Sequence, residues 1–422
     1  MIEEFEHHGK WWLPNKPQGE IAGTLKFDPA KGSTLELIGS FNPNISNLTD
    51  YSSPAVILGI STKGKQITLQ NCFETSRNLN IPGMITSVFE PEFVFIGSNF
   101  TKPEDVLFKR ALVKFSYFDE WVGTSGFTLE DKDENFIVKH NLPGNIAAGS
   151  FQNWNLTIKF RRTATLGISH KLNVEQYAYL EITSTIDKPF IEYLNLIKKV
   201  RYFLSLGVEE PVYLVSFDGR TEAAKTITHE KDAYYNPIQA YFIQPGSPFE
   251  LKTLYKHNML FSLRDLKGRF EHCMKKWLDK AEFLETVYDL YAGMYFNPRM
   301  YQNHKFLTAV QAIEVYHRRT MSNGKPTLID RIQEVVEKYS NVLINMFNEE
   351  AVIKIVETRN YFTHYDVKLK NKAATGEELY VLTTKLRVLI TVCLLKEIDL
   401  GIDEIKAIIP RSKLYRWLNQ RT

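Results

Sequence analysis

The apolar positions in the first part of the chain come in short runs. They are rich in Val, Ile, Phe and Thr, and they read AVILGIST, KQITLQN, EFVFIG, LVKFSYF, NFIVKH, NLTIKF and YAYLEITS. Gly, Pro, Asn and Asp separate the runs, and short β-branched and aromatic segments between such turn residues are typical of strands. Up to about residue 185, the pattern therefore predicts a β-rich domain.

A different spacing begins at residue 188. In KPFIEYLNLIKKVRYFLSL, residues 188–206, apolar residues recur three and four positions apart after an opening proline, which predicts a helix. The run PVYLVSF that follows predicts one more strand. The β-rich domain is therefore expected to contain at least one helix.

Beyond about residue 255, the apolar residues follow long helical patterns. The predicted helices are LRDLKGRFEHCMKKWLDKAEFLETVYDLYAG, which ends at Gly293, then HKFLTAVQAIEVYHRRT, LIDRIQEVVEKYSNVL, EEAVIKIVETRNYFTHYD and EELYVLTTKLRVLITVCLLKEIDL. The chain is thus predicted to have an α+β fold. A β-rich N-terminal domain over residues 1–254 precedes an all-α helical bundle over residues 255–422.

Composition and charge limit the possible functions. Of the 422 residues, 44% are apolar and 24% are charged, which is close to the average of globular proteins. A formal charge of +3 is well below that of a chain that coats nucleic acid non-specifically. Any site for a polyanion must therefore be local.

The cysteines and the N-terminus bear on the compartment. Cys72, Cys273 and Cys393 lie far apart without C-x-x-C spacing, so neither a disulfide framework nor a cysteine-rich zinc site is indicated. The acidic start, MIEEFEHHGKWWLP, lacks the pattern of a secretion signal, and the longest apolar run, residues 388–395, is too short to cross a bilayer. We expect a cytoplasmic protein without a membrane partner.

The sequence lacks the common cofactor and metal motifs. P-loop, G-x-G-x-x-G, H-E-x-x-H, G-x-S-x-G and EF-hand patterns do not occur in it. His7 and His8 could bind a metal, but no spaced carboxylate or thiolate accompanies them, so two exposed histidines are the favoured interpretation. We expect neither a cofactor nor a metal site.

The stretch ETRNYFTHYDVKLK, residues 357–370, places four polar side chains in a helical pattern. Asn360 and His364 are four positions apart and share a helix face, whereas Arg359 points about 140° away from His364 in an ideal helix. Two arrangements bring Arg359 and His364 to one phosphate. The helix can loosen near Asp366, or a second copy can supply the complementary side chain across a two-fold axis, which predicts a dimer.

Arg, Asn and His without a metal suit the cleavage of RNA. That reaction needs a base for the 2′-OH proton, a cation for the phosphorane charge and an acid for the 5′ oxygen. Histidine can be the base or the acid, and arginine presents a charged planar fork to phosphate. The same residues could instead cap helix ends and pair with Glu357 or Asp366. Arg299 and His304 repeat the spacing elsewhere, so spacing alone does not identify a site.

A family resemblance adds to this interpretation. RNYFTH, preceded by FLTAVQAIEVYHRR with an inward-facing Glu314, resembles the HEPN domains, whose signature is R-x4-6-H with a polar residue after the Arg. WWLP, GEIAGTLKFDPAKGSTLELIG and AVILGISTKGKQITLQNC are similar to the β-rich N-terminal region of the ApeA type of anti-phage HEPN protein. The resemblance implies a metal-independent endoribonuclease that leaves 2′,3′-cyclic phosphate ends. It would cut host or phage RNA, tRNA being one candidate, so that infection aborts.

The resemblance also implies residue roles and partners. Arg359, Asn360 and His364 match the family motif as catalytic residues, and Glu314 is implied as a further residue of that site. A homodimer through the HEPN domain is implied, with a higher oligomer left open, and a phage-derived trigger of unknown identity would act through a regulatory or sensor domain at the N-terminus. From the residues alone, Glu314 could equally face solvent or pair with Arg318 at i+4.

Basic side chains near the motif are candidate RNA contacts. The candidates are Arg318 and Arg319, which follow His317 at the end of one helix, and Lys368 and Lys370, which precede Lys372 in the loop after the motif. However, the helix dipole favours a basic last turn whatever the function, and lysines in a polar loop are commonly just solvated. Both interpretations stay open.

The aromatic residues and two rival functions complete the expectations. Trp11, Trp12 and Trp154 could stack on RNA or sense a phage component, although large aromatic side chains usually lie in the core. One rival is a non-catalytic RNA- or nucleotide-binding HEPN-like protein, which the intact motif disfavours. The other is a carbohydrate-binding or adhesion protein, which the missing secretion signal disfavours.

Overall fold

The computed structural model has a strand-rich first part and a helical second part. The residues described are 3–42, 51–132, 135–165, 170, 172–227, 233–244, 246, 251–266, 268–321 and 324–420. The last strand ends at Tyr241, and only helices follow from Phe270 onward in the described residues. The predicted α+β fold, with a β-rich N-terminal region and a helical C-terminal region, is therefore confirmed.

Antiparallel pairing builds the strand-rich part. Its strands are β1 Phe5–Leu13, β2 Lys16–Asp28, β3 Gly32–Leu37, β4 Val56–Ser61, β5 Gln66–Leu79, β6 Ile85–Ile96, β7 Leu107–Phe115, β8 Phe127–Lys132, β9 Asn135–His140, β10 Ile146–Phe151, β11 Trp154–Thr165, β12 Asn173–Pro189, β13 Leu214–Arg220, β14 Lys225–Ile227, β15 Ala233–Tyr235 and β16 Ile238–Tyr241. Twelve of them form one sheet in the order β10-β11-β12-β7-β13-β16-β6-β3-β2-β1-β4-β5. Each run predicted as a strand overlaps one of these strands, although Phe118 at the end of LVKFSYF begins a helix and residues 211–213 of PVYLVSF precede β13.

One end of the sheet closes on itself. Because β5 pairs with β6 as well as with β4, the strands β6, β3, β2, β1, β4 and β5 form a ring around a small apolar core of their own. Trp11 is fully buried in that core, and a Cβ on Gly59 would come within 2.2 Å of its ring, so only glycine fits there. Trp154 is also buried and Trp12 is half-buried, which confirms the core interpretation for Trp11 and Trp154.

Most helices follow the predicted pattern; the exceptions are one long predicted helix and three short helices, beginning at Phe118, Ile402 and Lys413, that were not predicted. They are α1 Phe118–Val122, α2 Phe190–Val208, α3 Phe270–Asp279, α4 Glu285–Phe296, α5 Gln302–Thr320, α6 Leu328–Lys338, α7 Glu349–His364, α8 Gly376–Glu397, α9 Ile402–Ile408 and α10 Lys413–Asn419. The long helix predicted to end at Gly293 is wrong as a single element, because α3 and α4 are separated by a turn. The Trp277 ring stacks on Tyr288 at 3.8 Å between centroids, which folds α4 back against α3. This tertiary contact overrides the helical pattern of the turn.

Helix α2 joins the strand-rich part to the helical part. Its Phe203 ring contacts Trp277 on α3 at 5.7 Å, and the Trp277 indole N–H donates a hydrogen bond of 2.8 Å to the Lys199 carbonyl on α2. One apolar core runs without a break from the sheet through α2 into α3, α4, α5 and α8. The helices of the second part are therefore held in place by strands and helices of the first.

We expect Trp277→Ala to destabilise the whole chain by about 3–5 kcal/mol, because it removes a buried indole from the joint between the two parts. Urea unfolding of the full chain, followed by circular dichroism and by tryptophan fluorescence, should give one transition at a lower midpoint with both probes. Phe283→Ala removes a half-exposed aromatic side chain between α3 and α4 and should shift the midpoint little. Equal shifts for the two variants would contradict this account of the joint.

Candidate active site

Helix α7 carries the Arg, Asn and His of the motif. The helix begins after Asn348, whose side-chain oxygen accepts a hydrogen bond of 2.9 Å from the Ala351 N–H. Val352, Ile355 and Thr358 are its buried residues, so this face packs inward. The helix ends at His364, because Tyr365 adopts the left-handed conformation with φ 52°. The motif therefore occupies the last two turns of α7.

Glu314 lies between two arginines on different helices. Its carboxylate accepts a hydrogen bond of 2.6 Å from Arg318 one turn later on α5, and its other oxygen is 4.0 Å from a guanidinium nitrogen of Arg359 on α7. The Arg359 guanidinium also donates a hydrogen bond of 3.0 Å to the side-chain oxygen of Asn360. The structure thus brings together Glu314, Arg318, Arg359 and Asn360; it confirms the pairing of Glu314 with Arg318, and the role of Glu314 in the site stays a prediction.

The exposure of this cluster suits the binding of an anion. The Glu314 side chain is 17% exposed and that of Arg359 is 31% exposed, so the carboxylate is partly shielded while the guanidinium still reaches solvent. A carboxylate and an amide oxygen on two sides fix the plane of the guanidinium fork. Such partly exposed pairs add little to folding stability, so their main effect is orientation.

His364 lies at the exposed end of the same helix. It occupies the last helical position, where the unpaired carbonyls favour a positive charge. Across the described part of the chain, no hydrogen bond or ion pair of the His364 side chain is found, and none joins it to Arg359. Within one chain, Arg359 therefore contacts Glu314 and Asn360, whereas His364 is exposed and is not bonded to Arg359.

The acidic neighbours of the motif have other partners. Glu357 pairs with Lys372 at 3.1 Å, and Asp366 accepts a hydrogen bond of 2.9 Å from the Lys368 backbone N–H. The alternative in which Arg359 and His364 pair with these two carboxylates is therefore wrong. The Arg359 partner among acidic residues is Glu314, which lies on another helix and was accessible to sequence reasoning only through the family pattern.

The far end of the loop that follows α7 is hydrogen-bonded to the helix. The Ala374 N–H donates a hydrogen bond of 2.9 Å to the Thr358 hydroxyl, and both residues are fully buried. Lys368 and Lys370 are exposed in this loop, which begins directly after the helix end that carries His364. Thr358 was not among the predicted site residues, and a buried threonine in a helix leaves no distinctive signal in the sequence.

The three basic side chains at the end of α5 have three different partners. Arg318 points to Glu314, whereas Arg319 hydrogen-bonds to the Phe283 carbonyl between α3 and α4. His317 is fully buried and lies 2.6 Å from a carboxylate oxygen of Glu334 on α6. Because α6 covers it, His317 is not exposed to contact RNA phosphate.

Comparison with known families agrees with this geometry. The family model described as ApeA N-terminal domain 1 matches residues 6–277, and the model described as Apea-like HEPN matches residues 307–404, which include Glu314 and the whole motif. The chain belongs to the ApeA-type HEPN family. Comparisons with curated proteins and with solved structures find no match to it.

Membership of the ApeA-type HEPN family supports a general function for this protein. HEPN domains are in general ribonucleases that act on RNA and commonly dimerise, and this family supports a nuclease-type role in defence against phage. The described residues contain no group of three or more His, Cys, Asp or Glu side chains placed to hold a metal ion. Within the same residues, no helix has the length and apolar character needed to cross a bilayer.

We expect Thr358→Val to loosen the loop that carries Lys368 and Lys370. The change keeps the shape of the side chain but leaves the buried Ala374 N–H without an acceptor, which costs about 1–3 kcal/mol. Hydrogen exchange of the full ApeA-type chain should show faster exchange at Ala374 and along residues 366–375. Thr363→Val is the matched control, since Thr363 is exposed on the same helix; an identical exchange pattern in the two variants would argue against the fastening.

Proposed function

We propose that this ApeA-type protein is a metal-independent endoribonuclease that cuts RNA during phage infection. The observation that carries the proposal is the cluster of Glu314, Arg359 and Asn360 beside an accessible His364, inside the segment that matches the HEPN family. The chemistry uses the 2′-OH as nucleophile, and its products are a 2′,3′-cyclic phosphate and a 5′-OH.

Each residue has a role that follows from its environment. His364 exchanges protons with the 2′-OH or with the 5′ leaving oxygen, because an accessible imidazole near neutral pH can serve in either step. Arg359 binds the non-bridging phosphate oxygens and stabilises the charge that grows on them. Asn360 and Glu314 hold the guanidinium in place as positioning residues.

The substrate is held by basic side chains around the helix end. Lys368 and Lys370 are exposed in the loop after α7, and they contact the RNA backbone on either side of the cut. Arg318 and Arg319 are further contacts, although each has a partner in the free protein. We propose tRNA as the first substrate to test, in the cytoplasm, where cutting it aborts the infection.

A second copy of the chain completes the site in this proposal. Within one helix Arg359 and His364 point about 140° apart, so a two-fold axis that sets two α7 helices side by side lets the Arg of one copy face the His of the other. A higher oligomer of such dimers is compatible with this arrangement. The N-terminal part, residues 1–254, restrains the nuclease until a phage-derived trigger acts on it.

The first test compares wild type with His364→Ala and Arg359→Ala. Protein purified from phage-infected and from uninfected cells is incubated with total RNA and with tRNA in EDTA, and the fragments and their ends are analysed. We expect cyclic phosphate ends from the wild type and a rate at least about 100-fold lower for either variant. His304→Ala, which alters the repeated spacing on α5, should cleave like wild type.

Two results would overturn this assignment. One is cleavage that stops in EDTA and returns with a divalent cation, since the proposed chemistry uses no metal. The other is a folded His304→Ala variant that has lost activity while His364→Ala keeps it. RNA binding without cleavage in protein from infected cells would favour the non-catalytic alternative.

A mixing experiment tests the shared site. If Arg359 of one copy works with His364 of the other, refolding the inactive Arg359→Ala and His364→Ala variants together at equal amounts should restore about a quarter of the wild-type rate, since half the dimers then have one intact site. If each copy uses its own pair, the mixture should stay inactive. Mixing His364→Ala with itself under the same conditions is the control.

A further inference from the structure

A cavity lies where the strand-rich part meets the helical part, away from the candidate active site. It has a volume of about 360 Å³, and its lining includes Tyr213 just before β13, Tyr295 from α4, Lys305 from α5 and Arg387 from α8. This volume is in the range of small-ligand sites, and junctions between parts of a chain are common places for such sites. The cavity is separate from the cluster at Glu314, which lies nine residues, or about 14 Å, further along α5.

Lys305 enters this cavity without a carboxylate partner. No hydrogen bond or ion pair of its ammonium group is found among the residues that the structure describes. Burial and the nearby Arg387 both lower the pKa of Lys305, so the side chain is held where its charge is unfavourable. A half-buried cation that stays uncompensated costs free energy, which an anion in the cavity would recover.

Arg387 is the second cation of this cavity. Its guanidinium lies over the Tyr295 ring at 4.9 Å from the centroid, and its buried Nε has no hydrogen-bond partner in the described part of the chain. No carboxylate lies within ion-pair distance of it there. The Tyr295 ring and a hydrogen bond to the Tyr295 hydroxyl thus fix the direction of the guanidinium, which keeps further donors for a ligand.

The two carboxylates in the cavity wall are already engaged. Glu209 accepts hydrogen bonds of 2.6 Å from the Ser412 hydroxyl and 2.7 Å from the Lys413 backbone N–H, and burial raises its pKa. Glu210 pairs with the Lys413 ammonium at 2.7 Å. The charge of Arg387 acts on Glu209 only through space. These groups fasten α10 to the end of α2 and do not neutralise Lys305 or Arg387.

We propose that this cavity binds a phosphate-bearing ligand of about the size of a mononucleotide. Two cations in one cavity, neither of them in an ion pair with a carboxylate among the described residues, match a phosphate group, with Arg387 supplying a fork and Lys305 a point charge. Tyr117 and Pro298, which are not fully buried, offer surface in the wall for a planar group attached to that phosphate. The inference concerns binding at this cavity and does not depend on the proposed ribonuclease activity.

Isothermal titration of the full chain with AMP, GMP, CMP, UMP, inorganic phosphate and adenosine tests the proposal. We expect at least one nucleotide to bind and adenosine, which lacks the phosphate, to bind at least about tenfold more weakly. Phosphate binding as tight as that of every nucleotide would identify a simple phosphate as the source. Lys305→Gln and Arg387→Gln should each weaken binding by about tenfold or more.

Lys385→Gln is the matched control. Lys385 is another half-buried lysine of the same helical part, burial also lowers its pKa, and it lies outside the cavity lining. This variant should bind like wild type, although it changes the net charge by the same amount. Without ligand, Lys305→Gln should melt at or above the wild-type temperature, because it removes a half-buried charge that has no carboxylate partner among the described residues.

Three outcomes would overturn the inference. They are no binding of any of the four nucleotides or of phosphate, binding of adenosine as tight as that of AMP, and unchanged affinity in Lys305→Gln. If Arg387→Gln does not fold, Lys305→Gln and Lys385→Gln still decide the question, since both lysines are partly exposed.

Discussion

The contact between Glu314 and Arg359 is the constraint on which the candidate site depends. It joins α5 to α7, two helices separated by α6 and its connections, and it sets the direction of the guanidinium relative to His364. The pair is partly exposed and adds little to stability, so α5 and α7 must be held together by apolar packing, as in the contact between Phe306 and Phe362. The core positions the helices, and the charged cluster then orients one side chain.

Sequence periodicity predicted most of the elements, because strand and helix spacing differ clearly along this chain. It failed at the turn between α3 and α4, where no Gly or Pro interrupts the pattern and the stacking of Trp277 on Tyr288 decides the fold. It also left the short helices α9 and α10 out. The motif residues and Glu314 were accessible through their spacing and the family pattern. The burial of His317 was not, since its partner comes from another helix.

The cavity lined by Lys305 and Arg387 is a feature that the spacing of residues along the sequence does not predict. Lys305 and Arg387 are 82 positions apart, and each looks like an ordinary surface cation in its own helix. Only the packing of α5 against α8 places them in the lining of one cavity. Such a buried charge is recognised only when the burial of the side chain and its ion-pair partners are considered together. Partial burial alone, or the lack of an ion pair alone, is common for a lysine or an arginine.

The hydrogen bond from Trp277 to the Lys199 carbonyl also bears on how such proteins can recombine. A crossover between the last strand and α3 would give α2 a foreign partner for its carbonyl and its Phe203 ring. Exchange of the strand-rich part between relatives is therefore expected to succeed only when α3 travels with it. The N-terminal family model matches the chain up to residue 277 and so includes most of α3, in agreement with this expectation.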